Sequence, residues 1–299
     1  MPSSRVRVLN LFPELKKEGI ECDVVRYPKK VADKISVIKK SRNYDVTFLQ
    51  KKLLSMIDVI LLRRFARKLV FDFDDAIYFR HDAEAVLESR TRASRFKSIV
   101  SRADLVIAGN RILADHAGRF SKSIVIIPSA VETRNVPVHD SRPGDKVMIG
   151  WVGGGVNLHH LQELSSVFQK LGAQYDIQVR VLSNKTIEIP SVDVLLIPWA
   201  LDIQEREIAR FDIGVMPLPS NKHSEGKCGY KALQYMAAAV PPVVSDVGVN
   251  RDIVEHGKSG LVVSSPDGFY DAMKMLIENA GMRKELGLNA RQRVEQHFS

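Results

Sequence analysis

The sequence predicts an α/β protein of two doubly wound, Rossmann-like domains, each built on a parallel sheet. Three observations carry this. The 299 residues suit two such domains better than one. Both halves alternate short apolar runs of strand length with longer amphipathic runs of helical spacing, the pattern of parallel strands joined by crossover helices. Between the halves lies TRNVPVHDSRPGDK (Thr133–Lys146), a polar stretch with two prolines and a glycine that reads as a linker. The expected domains are residues 1–140 and 141–299, facing each other across a cleft where a ligand would bind.

The opening residues can be read two ways. RVRVLNL alternates like a strand. Ser3 and Ser4, the helical spacing of Leu9, Phe12 and Leu15, then Lys16, Lys17 and Gly19, read as a capped helix with a glycine stop, and this reading is preferred. The first domain then begins at its first helix and lacks its first strand. That strand is central in a doubly wound sheet, so unpaired backbone is expected in the sheet's middle. Strands follow at Ile20–Val25, Val46–Leu49, Leu69–Phe73, Leu105–Ala108 and Ile124–Ile127, with helices at Leu53–Arg67 and Ala83–Ser101. The run LLSMIDVILL, Leu53 to Leu62, is about half the ~20 residues a membrane span needs and contains Asp58. It reads as a buried helix with basic ends or as a helix lying on an anionic membrane surface.

In the second half, strands are expected at Val147–Trp151, Gln178–Leu182, Val194–Ile197, Ile213–Met216, Pro242–Ser245 and Gly260–Val263. Helices are expected at His159–Lys170, Asp202–Arg210, Tyr230–Ala238 and Gly281–His297.

Apolar residues make up 45% of the chain and charged residues 26%, enough of both for packed, soluble cores. The net charge of +9 is one-sided. Residues 1–140 hold 27 Lys and Arg against 17 Asp and Glu, while the rest is nearly balanced. No nucleic-acid motif accompanies the basic half. A solvated face, anionic lipid or a phosphate-bearing acceptor accounts for it. Two cysteines, Cys22 and Cys228, are too few for a disulfide framework, and no secretory signal opens the chain. A cytoplasmic protein, peripheral at the membrane's inner face if it touches one, is expected.

The most informative stretch is residues 211–263. A strand ends at Met216-Pro217, and a polar loop leads into a helix starting near Gly229. Gly226 and Gly229 allow close backbone approach, the helix start offers free N–H groups, and Lys227 and Lys231 add two cations: together, a cradle for a diphosphate. A second element, IGWVGGGVNLHHL, turns from strand to helix through Gly153, Gly154 and Gly155 and offers similar backbone contact. Trp199, at a strand end, stacks a nucleobase or simply packs. In LVFDFDDAIYF, Asp72, Asp74 and Asp75 crowd one strand end and need a cationic or hydrogen-bonding partner. Three readings compete: Asp74 and Asp75 contact an acceptor, one as a base; a DxD pair holds a divalent metal, as in some sugar transferases and phosphatases; or the acids cap the next helix. His81, His116, His159 and His160 form no metal-ligand spacing, and the adjacent His159 and His160 are expected on different helix faces.

Residues 211–263 resemble the donor-binding region of the family 4 (group 1) glycosyltransferases of GT-B fold. The resemblance rests on GKCGYK (Gly226–Lys231), LQYMA (Leu233–Ala237) and PVVSDVG (Pro242–Gly248). It implies sugar transfer from a UDP- or GDP-sugar with retention of configuration and no obligatory metal or other cofactor. The acceptor is then an envelope glycan or a lipid-linked sugar. The implied catalytic residues are Lys227, Lys231, Asp74 and Asp75. The implied donor residues are Gly153, Gly154, Trp199, Glu225, Gly226, Cys228, Gly229, Tyr230 and Gln234. Ser4, Arg5 and Arg7 resemble the S-S-R-x-R start of the first helix in this subgroup and, with Asn110, are implied on the acceptor side. The chain departs from the family in two places. Many members carry glutamates eight positions apart where Gly226 and Gln234 stand here, and Glu225 lies beside the first. An Arg and a Lys common near the Gly153 loop are also missing. A non-catalytic nucleotide-sugar-binding chain is therefore the second reading.

Overall fold

A computed structural model describes residues 2–139, 146–185 and 187–299. Part of the expected linker, 140–145, lies outside the described residues. The chain forms two compact units. The first runs to Ser129 and includes the short segment Glu225–Cys228; the second holds Ala130–Ser224 and Gly229–Ser299.

The first unit opens with helix α1 (Pro2–Arg7), a 3-10 turn at Leu9–Leu11 and α2 (Phe12–Lys17). The helical reading of the first residues holds, broken near Val8. Residues 20–25, expected as a strand, are irregular, and Ile20, Val24 and Val25 are exposed. Apolar alternation alone does not make a strand when no neighbour receives its backbone groups. Helix α3 (Val31–Lys40) follows, then β1 (Val46–Gln50), α4 (Met56–Phe65), β2 (Lys68–Phe73), α5 (Arg90–Val100), β3 (Leu105–Ala108), α6 (Arg111–Ala117) and β4 (Ile124–Ile126). Expected helices are trimmed where a polar side chain caps them. Ser55 accepts from the Asp58 amide at 3.1 Å, and Ser89 starts α5 well after Ala83.

All four strands are parallel, in the order β1-β2-β3-β4. This corrects two expectations. The sheet has no gap in its middle; the unpaired backbone lies along the edge strand β1. The unit is also wound in one direction rather than two. Right-handed crossovers in one direction place α4, α5 and α6 on the same face. Under them lies an aromatic core in which Phe73 and Tyr78 meet Phe96 edge-on at 5.1 and 4.9 Å.

His116 stacks on Tyr78 with ring centroids 3.6 Å apart. Burial, helped by the nearby Arg119 charge, lowers its pKa to about 4 from 6.5. The folded ring is neutral at pH 7, so it adds no acid sensitivity above pH 6.5. As pH falls from 6.5 toward 4, the unfolded chain takes up a proton that the folded one refuses, and stability declines. Thermal midpoints measured across this window should fall. His116→Phe, which keeps a stacked ring without titration, should remove that part of the slope.

The second unit contains β5 (Val147–Val152), α7 (Leu158–Gln162), α8 (Ser165–Gly172), β6 (Ile177–Ser183), β7 (Val194–Pro198), α9 (Gln204–Ile208) and β8 (Ile213–Met216). After these come α10 (Lys222–Glu225), α11 (Tyr230–Ala237), β9 (Pro242–Ser245), α12 (Asn250–Ile253), β10 (Leu261–Val263), α13 (Pro266–Glu278) and α14 (Ala280–His297). The expected helix His159–Lys170 is split at Glu163 and Leu164, and Asp202–Arg210 is shortened. The sheet is parallel with order β10-β9-β8-β5-β6-β7. From central β5 the strands wind outward both ways, so this unit is doubly wound as expected. The order reverses between β5 and β8, and such a switch point leaves a crevice at the carboxyl ends of the two strands.

Candidate functional site

Two groups of polar residues sit at the carboxyl ends of the two sheets. In the second unit, the group lies at the β5–β8 switch point. Strand β5 ends in Trp151-Val152 and turns through Gly153 and Gly154. A Cβ added at Gly153 would lie 2.6 Å from the Trp151 ring and 3.0 Å from Lys231 Cε. The glycine is needed because those two side chains already fill the space. Lys231, in the first turn of α11, places its Nζ 5.5 Å from the Trp151 ring centroid, a cation–π contact. Gly229 precedes α11 with φ +62°, a left-handed conformation that glycine adopts without strain. The glycine turn, the α11 N-terminus and the Lys231 ammonium therefore converge.

Tyr235 clamps this arrangement, a role not read from its place in LQYMA. Its hydroxyl accepts from the Val152 amide and donates to the Val215 carbonyl, both at 3.1 Å. One buried phenol thus ties α11 to the ends of β5 and β8. Burial pushes its pKa up, which keeps the donor proton in place. Gly214 makes room for the ring, since a Cβ there would come 2.4 Å from it. The only sequence signal was a tyrosine on an apolar helix facing a glycine-containing strand. Gln234 is buried on the same helix and Tyr230 half-buried. Trp199 follows edge strand β7, is 40% exposed, and donates its indole N–H to Gln204 at 2.9 Å. The rings of His159 and His160 meet edge-on, 4.1 Å apart. They do not diverge, because α7 is a short helix entered from a 3-10 turn that ties His159 Nδ1 to the Val156 carbonyl at 3.0 Å.

In the first unit, the group forms around the ends of β1, β2 and β3. Asp72 is 1% exposed and Arg7 8%. The Arg7 Nε donates to both Asp72 oxygens at 3.0 and 2.9 Å, and Nη2 reaches Oδ1 at 2.5 Å. Its Nη1 donates to the Ile127 carbonyl and the Ser129 hydroxyl. Burial works to lower the Arg7 pKa, but the Asp72 hydrogen bonds and charge outweigh it and raise it. This guanidinium is committed inside the unit, which corrects its placement as a side chain open to an acceptor. Ser4 donates to Gln50 at 2.8 Å, and Arg5 is half-buried on the same helix.

Asp74 and Asp75 are served by Lys51, a residue the motif reading missed. Its ammonium lies 3.0 Å from Asp74, contacts Asp75 and donates to Ser3 at 3.0 Å. Burial opposes its charge, but the two carboxylates outweigh burial and raise its pKa, so it is a cation at neutral pH. Lys51 itself adopts φ +53°, with its N–H bound to the Asp72 carbonyl at 2.8 Å. The crowded acids thus have the cationic partners their sequence demanded, supplied from distant positions. The helix-cap reading is overturned, because among the described residues the next helix after the acids begins only at Arg90, and Ser89 caps it. The metal reading is weakened, because a guanidinium already occupies both oxygens of Asp72.

The segment Glu225–Cys228 packs within this first unit. Asn110 caps α6 by accepting from the Leu113 amide, and its Nδ2 donates to the Gly226 and Lys227 carbonyls and to Cys228 Sγ at 3.2–3.3 Å. Its amide is used to hold the loop. Cys228 is buried in the unit's core, and burial together with Asp74 and Asp75 pushes its thiol up, so only its backbone is left for a ligand. A Cβ at Gly226 would meet Ala76 Cβ at 2.7 Å and its amide nitrogen at 3.0 Å. No glutamate fits there, which gives a packing reason for this departure; neighbouring Glu225 is exposed. Lys227 lies 3.8 Å from Asp82.

Residues 147–279 match the family described as Glycosyl transferases group 1. The sequence matches no curated protein. Among solved structures, the chain is similar to a sucrose-phosphate synthase from Thermosynechococcus elongatus at 15% identity, with a TM-score of 0.71, over 98% of this chain and 76% of that one. It is similar to Anabaena HepE, solved with UDP and glucose, at 13% identity, TM-score 0.69, over 96% and 84%. It is also similar to TarM at 13% identity, TM-score 0.68, over 88% of this chain but only 54% of that one, so it spans about half that protein's length. Residues 147–279 thus match a model of the glycosyl transferases group 1, and the chain shares its fold with solved GT-B glycosyltransferases.

Proposed function

We propose that this chain transfers a sugar from a UDP- or GDP-sugar to an envelope glycan or a lipid-linked acceptor at the inner face of a membrane, with retention of configuration. The observation that carries the reading is the convergence of the Gly153 turn, the α11 N-terminus and Lys231 at the switch point of the second sheet. Backbone amides and one ammonium there form an anion site suited to two linked phosphates. HepE, of similar fold, was solved with UDP and glucose, which supports a nucleotide-sugar donor.

In this reading, Gly153, Gly154, Gly229 and Tyr230 offer backbone to the diphosphate. Lys231 neutralises the charge that grows as the sugar leaves. Gln234 serves the donor's hydroxyls, and Trp199 the base. Asp74 and Asp75, with Ser4, Arg5 and the loop held by Asn110, form the acceptor side. The acceptor oxygen bonds to the anomeric carbon on the face from which the diphosphate departs. The bond from that carbon to the phosphate oxygen breaks, and the acceptor proton passes to the leaving diphosphate. No protein base, metal or other cofactor is required.

The test is a thermal-shift screen of UDP- and GDP-sugars, followed by product analysis with the donor that binds. A donor at about 100 times its Kd should stabilise the folded chain by about 2.7 kcal/mol. No shift with any nucleotide sugar would sink the reading. The second reading, a nucleotide-sugar binder without turnover, is favoured by the absence of room for a glutamate at Gly226 and by the committed Arg7. Binding without transfer would select it.

A further inference from the structure

Helix α4 is the run whose sequence allowed either a buried helix or a membrane-surface helix, and its two faces divide those roles. Val59 and Leu62 are buried beneath it. On the opposite face Met56, Ile57 and Ile60 are 54, 70 and 47% exposed, and Arg64 is exposed one turn beyond Ile60. At about 100° per residue these four side chains share one stripe roughly 100° wide. Single exposed apolar residues are ordinary, but three grouped on one helical face form a patch.

The neighbouring helix makes that patch cationic. Ser55 and Met56 line a depression of about 420 Å³ with Arg90, Thr91, Ser94 and Arg95 of α5 and its start. The acids close by are engaged elsewhere. Asp58 lies 3.5 Å from Lys34, and Asp104 is held by Arg63 and the Leu69 amide. Among the described residues, no carboxylate pairs with Arg64, Arg90 or Arg95. No helix of the described residues is long and apolar enough to cross a membrane.

We infer that the α4–α5 face docks the protein on an anionic lipid bilayer. Met56, Ile57 and Ile60 enter the boundary between headgroups and acyl chains, while Arg64, Arg90 and Arg95 meet lipid phosphates. A soluble polyanion would use the arginines and leave the two isoleucines without a role, so the bilayer is the occupant that accounts for both. The inference deepens the membrane-borne acceptor of the proposed function and rests on it only for its biological purpose.

The experiment sediments the full chain with large vesicles of phosphatidylcholine, alone or mixed with phosphatidylglycerol. Binding is expected to the mixed vesicles and should weaken with added salt. Ile57→Ser/Ile60→Ser should lose about tenfold or more in vesicle affinity. Arg90→Ser/Arg95→Ser should erase the preference for anionic lipid. All four side chains are solvent-facing, so thermal midpoints should hold. No sedimentation with either vesicle overturns the inference, and so does unchanged binding of the isoleucine variant, which would point to a polyanion contact instead. Nucleotide-sugar thermal shifts measured on the same samples separate the two claims. Lost donor binding with intact vesicle binding sinks the transferase reading alone, and the reverse sinks only the docking face.

Discussion

Replacing Lys231 with alanine should lower transfer turnover by about 100-fold or more while leaving the fold intact. The expected size is that of removing one preorganised group from developing negative charge, roughly 10²–10³ in rate. Lys231 is the cation placed at both the Gly153 turn and the start of α11, so in the proposed reaction it sits beside the departing diphosphate. Its cation–π contact with Trp151 is worth only about 0.5–1 kcal/mol, so the thermal midpoint should move little. Lys231→Arg should recover part of the rate, because the charge returns with a different reach. Steady-state kinetics with a donor found by thermal shift decide the matter. An alanine variant with wild-type kcat would remove the phosphate role, and with it the main support for the donor site.

Replacing Arg7 with alanine should cost stability rather than chemistry, about 3–5 kcal/mol, because it strands Asp72 as a buried carboxylate without its partner. The guanidinium also satisfies the Ile127 carbonyl and the Ser129 hydroxyl, so the change leaves further polar groups unserved. The pH dependence gives a second signature. Once the guanidinium is gone, the buried Asp72 favours its protonated form, so the stability deficit should shrink as the pH is lowered. The double change Arg7→Met/Asp72→Leu should recover most of the loss, since removing both charges leaves no stranded group. Urea unfolding of the single and double variants measures this. A single variant as stable as the parent would mean that the pair is not buried as described.

Much of the second unit was legible because its signals are local. The strands Ile213–Met216 and Pro242–Ser245 are apolar runs bounded by turns, and such runs announce themselves wherever a parallel sheet buries both faces. The Gly153 turn and the start of α11 were legible for a similar reason, since glycines and lysines beside a strand end and a helix start occur within a few residues of one another. Residues 20–25 misled because alternation reports only which face a side chain would take, and the segment finds no strand to pair with. The helix expected from Ala83 starts only at Arg90, where the Ser89 hydroxyl accepts from the Arg92 amide.

By itself the sequence determined the α/β alternation and the parallel sheets, which are carried by residues close together along the chain. Only the tertiary structure decided which charges meet. Arg7 pairs with Asp72, 65 residues away, and Lys51 reaches Asp74 and Asp75 from the end of another strand. It also decided that Glu225–Cys228 belongs with the first unit while the chain on either side belongs with the second. The physical reason is that a strand or a cap depends on its immediate neighbours, whereas a buried charge is stable only beside whatever partner the packing brings to it.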